Sequence, residues 1–287
     1  MSHKSLGTLL TDSWSFFQKH LAVFIAGAVI FGLIGGYLAH TMQKTGKEIS
    51  TSMMNSMGVN GMPSQEKMQK MAELTMKAMQ GNDAAKVELE AMGNQMEAMA
   101  NQIEEHMDDG TGPTPAMTGK FAGIMGKGFL LSMLISILAA TYFLSIAVFG
   151  LADIGSVINK TVSNVLPILG LWIWIFIRTF AWIPVIGIVT SIILGPRFIA
   201  APLHLLEGKK SIFDSASMSY SETKGKWGKI FGNMLVAGIV VWIAIAIIGV
   251  VLTSFGTTGG ILLAMLVQLG TAFLMVFGIQ LARTVTK

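Results

Sequence analysis

Apolar positions recur at helical spacing from the start of the chain. Leu6, Leu9, Leu10, Trp14 and Phe17 share one face, and Lys4, Asp12, Lys19 and His20 flank or oppose it. This spacing predicts an amphipathic helix over residues 1–20, lying in the headgroup layer. The pattern then becomes continuously apolar, predicting a first membrane span from Leu21 to about Leu38. A second span is expected at Gly128–Ala152. The run Thr161–Leu206 is too long for one helix and fits two, turning near Arg178–Pro184, with Trp182 suited to an interfacial belt. Ile230–Leu252 and Ile261–Ala282 supply the last two spans, split by the glycine- and threonine-rich stretch Ser254–Gly260. The expected fold class is all-α: a polytopic transmembrane bundle of six spans with amphipathic interfacial helices and an extracytoplasmic helical hairpin.

Residues 41–120 break this pattern. They hold 14 of the 21 methionines, and with the residues up to 127 they carry 8 Lys against 11 Asp and Glu. Ser50–Pro63 is rich in Ser, Met, Asn and Gly and is expected as loop. A helix start at Pro63-Ser64 then places Met68, Met71, Thr75 and Met79 on one face. Gly81-Asn82-Asp83 breaks and recaps the chain. Leu89, Met92, Met96, Met99 and Ile103 follow as a seam, so an antiparallel helical hairpin is expected before Gly110–Pro113. The division is therefore 1–40 (interfacial helix and first span), 41–120 (methionine-rich insert) and 121–287 (five further spans, with an amphipathic helix over 211–224).

Composition agrees with the spans: 52% of residues are hydrophobic, 13% are charged, and mean hydropathy is +0.63. Soluble chains carry about twice that charged share. Net charge +4 reflects loop lysines and implies no nucleic-acid partner. With no cysteine, disulfides, thiolate metal sites and cysteine nucleophiles are excluded. Lysines near span ends favour both termini inside, although Lys120 and Lys127 count against that choice. A cleaved signal peptide is weighed and set aside. The run Leu21–Gln43 is longer than a signal core, and Tyr37 would occupy a small-residue position before a cut at Ala39.

A repeat emerges once the spans are placed. Shifting the chain by 206 residues sets Ser5-Leu6 over Ser211-Ile212 and Ser13-Trp14-Ser15 over Ser219-Tyr220-Ser221. Each copy is an amphipathic helix followed by a membrane hairpin, and Asp153–Ser163 offers a shorter third copy. In the first span, Ala28, Gly32 and Gly36 recur every four residues. That small face invites close approach of another helix, from this chain, a membrane partner or a second copy.

The stretch APLHLLEGKKSIFDSASMSYSETKGKWGKIFG, together with SLGTLLTDSWSFFQKHLAVF near the N-terminus, resembles a bacterial integral-membrane superfamily. That superfamily includes the membrane domain of some glycerophosphodiester phosphodiesterases. Arg197, Pro202, Glu207-Gly208, Ala216, Ser219, Thr223-Lys224-Gly225 and Trp227 carry the resemblance, which spans about 1–40 and 120–287. It implies a six-span bundle in the bacterial cytoplasmic membrane. No phosphodiesterase domain accompanies it, so the resemblance implies no enzymatic activity.

Arg197 is the costliest residue in the sequence, 13 positions from Pro184 and 10 from Glu207. A charge at such depth costs about 2.5–3.5 kcal/mol on insertion scales and needs a partner or water. Two readings stay open: an anion or lipid-headgroup site, or a structural clamp on Asp153, Glu207 or carbonyls freed by Pro196. Lys209, Lys210, Lys224 and Lys226 with Trp227 suit anionic headgroups, and equally serve as a topology signal. The methionines, with His40 and His106, invite copper(I). Methionine at core spacing is more often packing material, so no metal or other cofactor is assigned. Catalysis finds no footing: the serines from 211 to 221 lack a His–acid pair, and His204 lacks an orienting acid near it in sequence. The expected function is a non-catalytic membrane protein binding lipid or a membrane partner. The alternative is a small-molecule or lipid permease.

Overall fold

The computed structural model describes residues 4–56, 65–108, 115–180, 184–208 and 210–286. Among these every regular element is helical. Six stretches are long and apolar enough to cross a membrane: Leu21–Thr51, Ala122–Phe149, Ile154–Thr179, Gly187–Glu207, Trp227–Thr253 and Gly256–Val285. The protein is thus a multi-pass helical membrane bundle. Its outward surface carries rows of exposed apolar side chains, among them Leu166, Trp242 and Val250, which a bilayer would cover.

The chain divides into two compact units, residues 1–38 with 131–287, and residues 39–130. In the first, α1 (Leu6–Lys19) precedes α2 (Leu21–Ser56), which carries the first span. Span two lies in α5 (Pro115–Phe149), span three in α6 (Ile154–Phe180), span five in α10 (Trp227–Thr253) and span six in α11 (Gly256–Val285). Span four is discontinuous, made of α7 (Pro184–Leu194), a 3-10 turn (Gly195–Phe198) and α8 (Ala201–Glu207). The short α9 (Ile212–Glu222) follows it.

The core of this unit is built on stacked and edge-on rings, with Phe24, Tyr142 and Phe143 buried together and the Tyr142 hydroxyl donating to Val23 O at 3.0 Å. The small-residue face of α2 is occupied from within the chain. A Cβ at Gly32 would lie 2.6 Å from Met265 Cα, so α11 fills the approach that the spacing predicts, and a second copy is not needed to cover it.

Three helix starts repeat one design. Ser5 and Ser211 accept the third amide on through their hydroxyls, at 3.2 and 3.1 Å, and Asp153 does so through its carboxylate at 2.8 Å. Each also accepts the fourth amide through its carbonyl. Four positions after each cap stand Leu9, Val157 and Ser215, all fully buried, and eight positions after stand Ser13, Thr161 and Ser219, all buried hydroxyls. The repeat noted in sequence therefore extends to cap geometry and burial.

α1 does not present its whole apolar face to one surface. Leu9, Ser13 and Phe17 are buried against neighbouring helices including α11, whereas Trp14 remains half exposed beside Phe273.

In the second unit, α3 (Gln65–Met79) and α4 (Asp83–Asp108) pair, with Lys70 Nζ 2.6 Å from Glu88 Oε1. Asn82 caps α4 by accepting the Ala85 amide. Among the described residues of these two helices Leu74 and Ala85 are buried, Met71 and Met92 are partly buried, and Met79 is 83% exposed. One expectation changes. Ser50–Ser56 is helical, as the end of α2, and not loop. The rest of that expected loop, and the break at Gly110–Pro113, lie outside the described residues.

Candidate functional site

Pro196 lacks an amide hydrogen and its ring clashes with the preceding turn, so α7 ends at Leu194 and a 3-10 turn carries the chain through Phe198. The break leaves Arg197 O and Ala200 N–H without helix partners. α9 supplies them. Ser219 Oγ donates to Arg197 O at 2.7 Å and accepts from Ala200 N–H at 3.1 Å, while Thr223 Oγ1 lies 3.1 Å from Arg197 O. Ser219 and Thr223 are fully buried. Two hydroxyls thus close a broken membrane helix, meeting the requirement that buried backbone groups be paired.

Where α9 crosses α6, Gly170 leaves room for the Ile212 side chain: a Cβ there would lie 2.6 Å from Ile212 Cδ1. The buried face of α9 is made of Ser215, Ala216, Ser219 and Thr223, each 0% exposed, and its outward side carries Phe213 at 66% and Tyr220 at 41% beside the exposed Asp214, Ser217 and Ser221. Three hydroxyls are thus turned into the protein, unlike a helix lying on a membrane surface with all its hydroxyls in water.

The Arg197 side chain is partly buried, and its guanidinium carbon lies 4.6 Å from the centre of the Tyr220 ring. Its Nε is buried without a hydrogen-bond partner. The sequence-based clamp needs correction here. Asp153 caps α6 at Ser156, and Glu207 pairs with Arg283 at 2.6 Å. Among the described residues no carbonyl accepts from the Arg197 side chain either; what the break engages is the Arg197 carbonyl. Among the described residues the guanidinium is held by a ring alone.

The basic cluster divides. Lys210 and Lys224 are exposed, and Lys209 lies outside the described residues. Lys226 Nζ donates to Val285 O, and Trp227 Nε1 donates to Ile192 O at 3.3 Å while its ring stacks on Phe231. Lys226 and Trp227 are thus committed to contacts within the protein.

Three further polar ties lie in this unit. His204 Nε2 stands 2.8 Å from Glu222 Oε2, giving His204 the acid partner that sequence proximity withholds. Arg283 Nη2 donates to both Glu207 Oε1 and Val148 O, joining the ends of spans two, four and six. His20 places Nδ1 2.9 Å from Phe16 O and Nε2 3.1 Å from Gly150 O. No serine hydroxyl contacts His204, and Ser219 is already spent on the helix break. Sequence reasoning missed Tyr220 and Glu222. Only the overlay of Ser219-Tyr220-Ser221 on Ser13-Trp14-Ser15 hinted that this face is special.

Among the described residues no three His, Asp or Glu side chains group into a metal site. Two apolar grooves also open on this unit. One, of about 420 Å³, is lined by Met133, Ile137, Trp172, Ile173, Phe176 and Met275, and the other, of about 310 Å³, lies beside Trp14 and Phe273.

Compared with known proteins, the chain matches no family model, no curated protein and no solved structure.

Proposed function

We propose that this is a non-catalytic integral membrane protein that binds membrane lipid or a membrane partner in envelope assembly or homeostasis, with Arg197 holding an anionic headgroup. One observation carries the reading: a guanidinium within a membrane span, stacked on Tyr220, with no acceptor among the described residues. A cation at that depth is costly unless a phosphate or water meets it. Lys210 and Lys224, exposed nearby in sequence, would add attraction to an anionic surface. The resemblance noted above and the lysine bias support a bacterial cytoplasmic membrane with both termini inside.

The test is native mass spectrometry of protein released from nanodiscs containing equal phosphatidylglycerol and phosphatidylcholine. Wild type is expected to retain phosphatidylglycerol selectively, and Arg197→Gln to lose that selectivity. Unchanged selectivity in the variant would defeat the reading.

A permease with Arg197 in its pathway is the second reading, favoured by the break in span four, since interrupted helices line transport sites. The chain has no cysteine, and a side chain at Gly195 meets nothing within 4 Å, so Gly195→Cys is a clean probe. Reaction with charged thiol reagents added separately from either side would favour the permease; protection from both would favour the lipid site.

A further inference from the structure

Resting on the reading of Arg197 as a headgroup site, we infer that this site opens sideways to the bilayer over α9, and that it takes the phosphate of a chain-bearing amphiphile rather than a soluble anion. α9 turns the hydroxyls of Ser215, Ser219 and Thr223 into the protein, while Ser217 and Ser221 stay exposed. Phe213 and Tyr220 are exposed as well, and Phe213 sits edge-on to Trp174 of α6 at 6.1 Å. Rings of this kind, half exposed on an apolar bundle, are stable outward only against lipid or at its interface.

The Arg197 guanidinium is found under that outward face, because the ring it stacks on is Tyr220. Phe198, the next residue, lies against the same ring at 6.1 Å and against Trp174 at 5.7 Å. Arg197 is thus set in an aromatic wall and not in a polar channel. Guanidinium is planar and weakly hydrated, so it tolerates a ring on one face while its edge donates to a phosphate in two parallel bonds. A soluble anion would have to leave water and cross an aromatic surface to reach it. A lipid headgroup reaches it by lateral motion with its chains already in the bilayer. Tyr220 then acts as a positioning residue: its ring fixes the guanidinium plane and so the direction from which phosphate is met.

Two measurements on the full chain test this. First, spin labels on single-cysteine variants Phe213→Cys and Lys224→Cys report collision with oxygen, which concentrates in lipid, or with a water-soluble nickel chelate. Oxygen is expected to dominate at 213 and the chelate at 224. Second, phosphatidylglycerol retention in nanodiscs is measured with added inorganic phosphate or glycerol phosphate. Neither soluble anion is expected to displace the lipid, whereas Arg197→Gln is expected to weaken retention by about tenfold, the scale of one charge-assisted contact. Tyr220→Phe, which keeps the ring, should retain the lipid as wild type does, and Tyr220→Leu should not.

Chelate dominance at 213, or displacement by inorganic phosphate, overturns lateral access while leaving the headgroup site standing. Retention unchanged in Arg197→Gln overturns the headgroup site itself. Because Arg197→Gln and Tyr220→Leu can fail to fold, the label at 213 and the soluble-anion competition are read on protein with Arg197 and Tyr220 intact.

Discussion

Replacing Ser215 and Ser219 by alanine, one at a time, is expected to move stability in opposite directions. Both are fully buried on α9, one turn apart. Ser219 Oγ gives Ala200 N–H its acceptor and Arg197 O its closest donor, at 2.7 Å. Its loss orphans a buried amide, at about 1–3 kcal/mol. Arg197 O falls back on Thr223 Oγ1, whose single proton is already drawn to Ser219 O at 2.7 Å. Roughly 2–3 kcal/mol in total follows for Ser219→Ala. Ser215 Oγ is buried with no partner, so Ser215→Ala removes a desolvated hydroxyl and should gain about 0.5–1.5 kcal/mol. Alanine also favours any helix by about 0.5 kcal/mol, and Ser217→Ala, at an exposed position, measures that term alone. The assay is apparent thermal midpoint in one detergent for the three variants and wild type. The expected order is Ser215→Ala, then Ser217→Ala, then wild type, with Ser219→Ala lowest. Equal losses at 215 and 219 would refute the clasp, since the two sites differ in hydrogen bonding and not in burial.

Gly32→Ala should cost about 1–3 kcal/mol by driving a Cβ into the Met265 backbone, whereas Gly35→Ala, with nothing within 4 Å, should be neutral or gain up to ~1 kcal/mol; thermal midpoints separate them. A topology reporter fused after Gln80 should be active only outside the cytoplasm, and one after Lys210 only inside, and residue 80 found inside would reverse the proposed orientation. The Ser156 amide, and then its hydroxyl, hold the Asp153 carboxyl below the usual carboxylate range. The cap therefore contributes fully above the unfolded value of about 3.9 and is lost as pH falls through the lower folded value. A carbon-13 titration midpoint for Asp153 at or above that of an unfolded peptide would contradict this. Replacing residues 45–118 by a short Gly/Ser linker should leave a membrane-inserted six-span protein, checked by size-exclusion chromatography, and aggregation would show that the insert belongs to the core.

The spans were legible because an uninterrupted apolar run of this length has few other uses, as Trp227–Thr253 illustrates. The recapping of the chain at Gly81-Asn82-Asp83 was legible too, since capping is local chemistry, whereas the first helix was read from residue 1 and its cap at Ser5 was not. The far end of α2 was not. Ser50–Ser56 looks like loop by composition, yet a helix already nucleated by the span propagates through Met and Lys residues at little further cost. The site was half legible. Arg197 announced itself by its cost, but its ring partner lies 23 positions on and is delivered only when α9 folds back across Gly170. Glu222 reaches His204 by the same fold-back, and no spacing rule predicts that pair. The roles of Ser215 and Ser219 were not legible for a related reason. Polar residues on a short helix suggest water, and nothing in their spacing reveals that a broken helix needs their hydroxyls.

Of the three buried hydroxyls at the same position after a cap, only Ser219 bridges a broken backbone. Thr161 donates to Val157 O in its own helix, and Ser13 has no partner at all. The first copy therefore carries an idle fastener: its hydroxyl occupies the same register, but α11, against which α1 packs, runs as one unbroken helix and offers nothing to fasten. Duplication can leave such spare parts. A later interruption in a neighbouring span would find its donor already in place, so discontinuity in this architecture needs one new proline rather than a proline and a hydroxyl together.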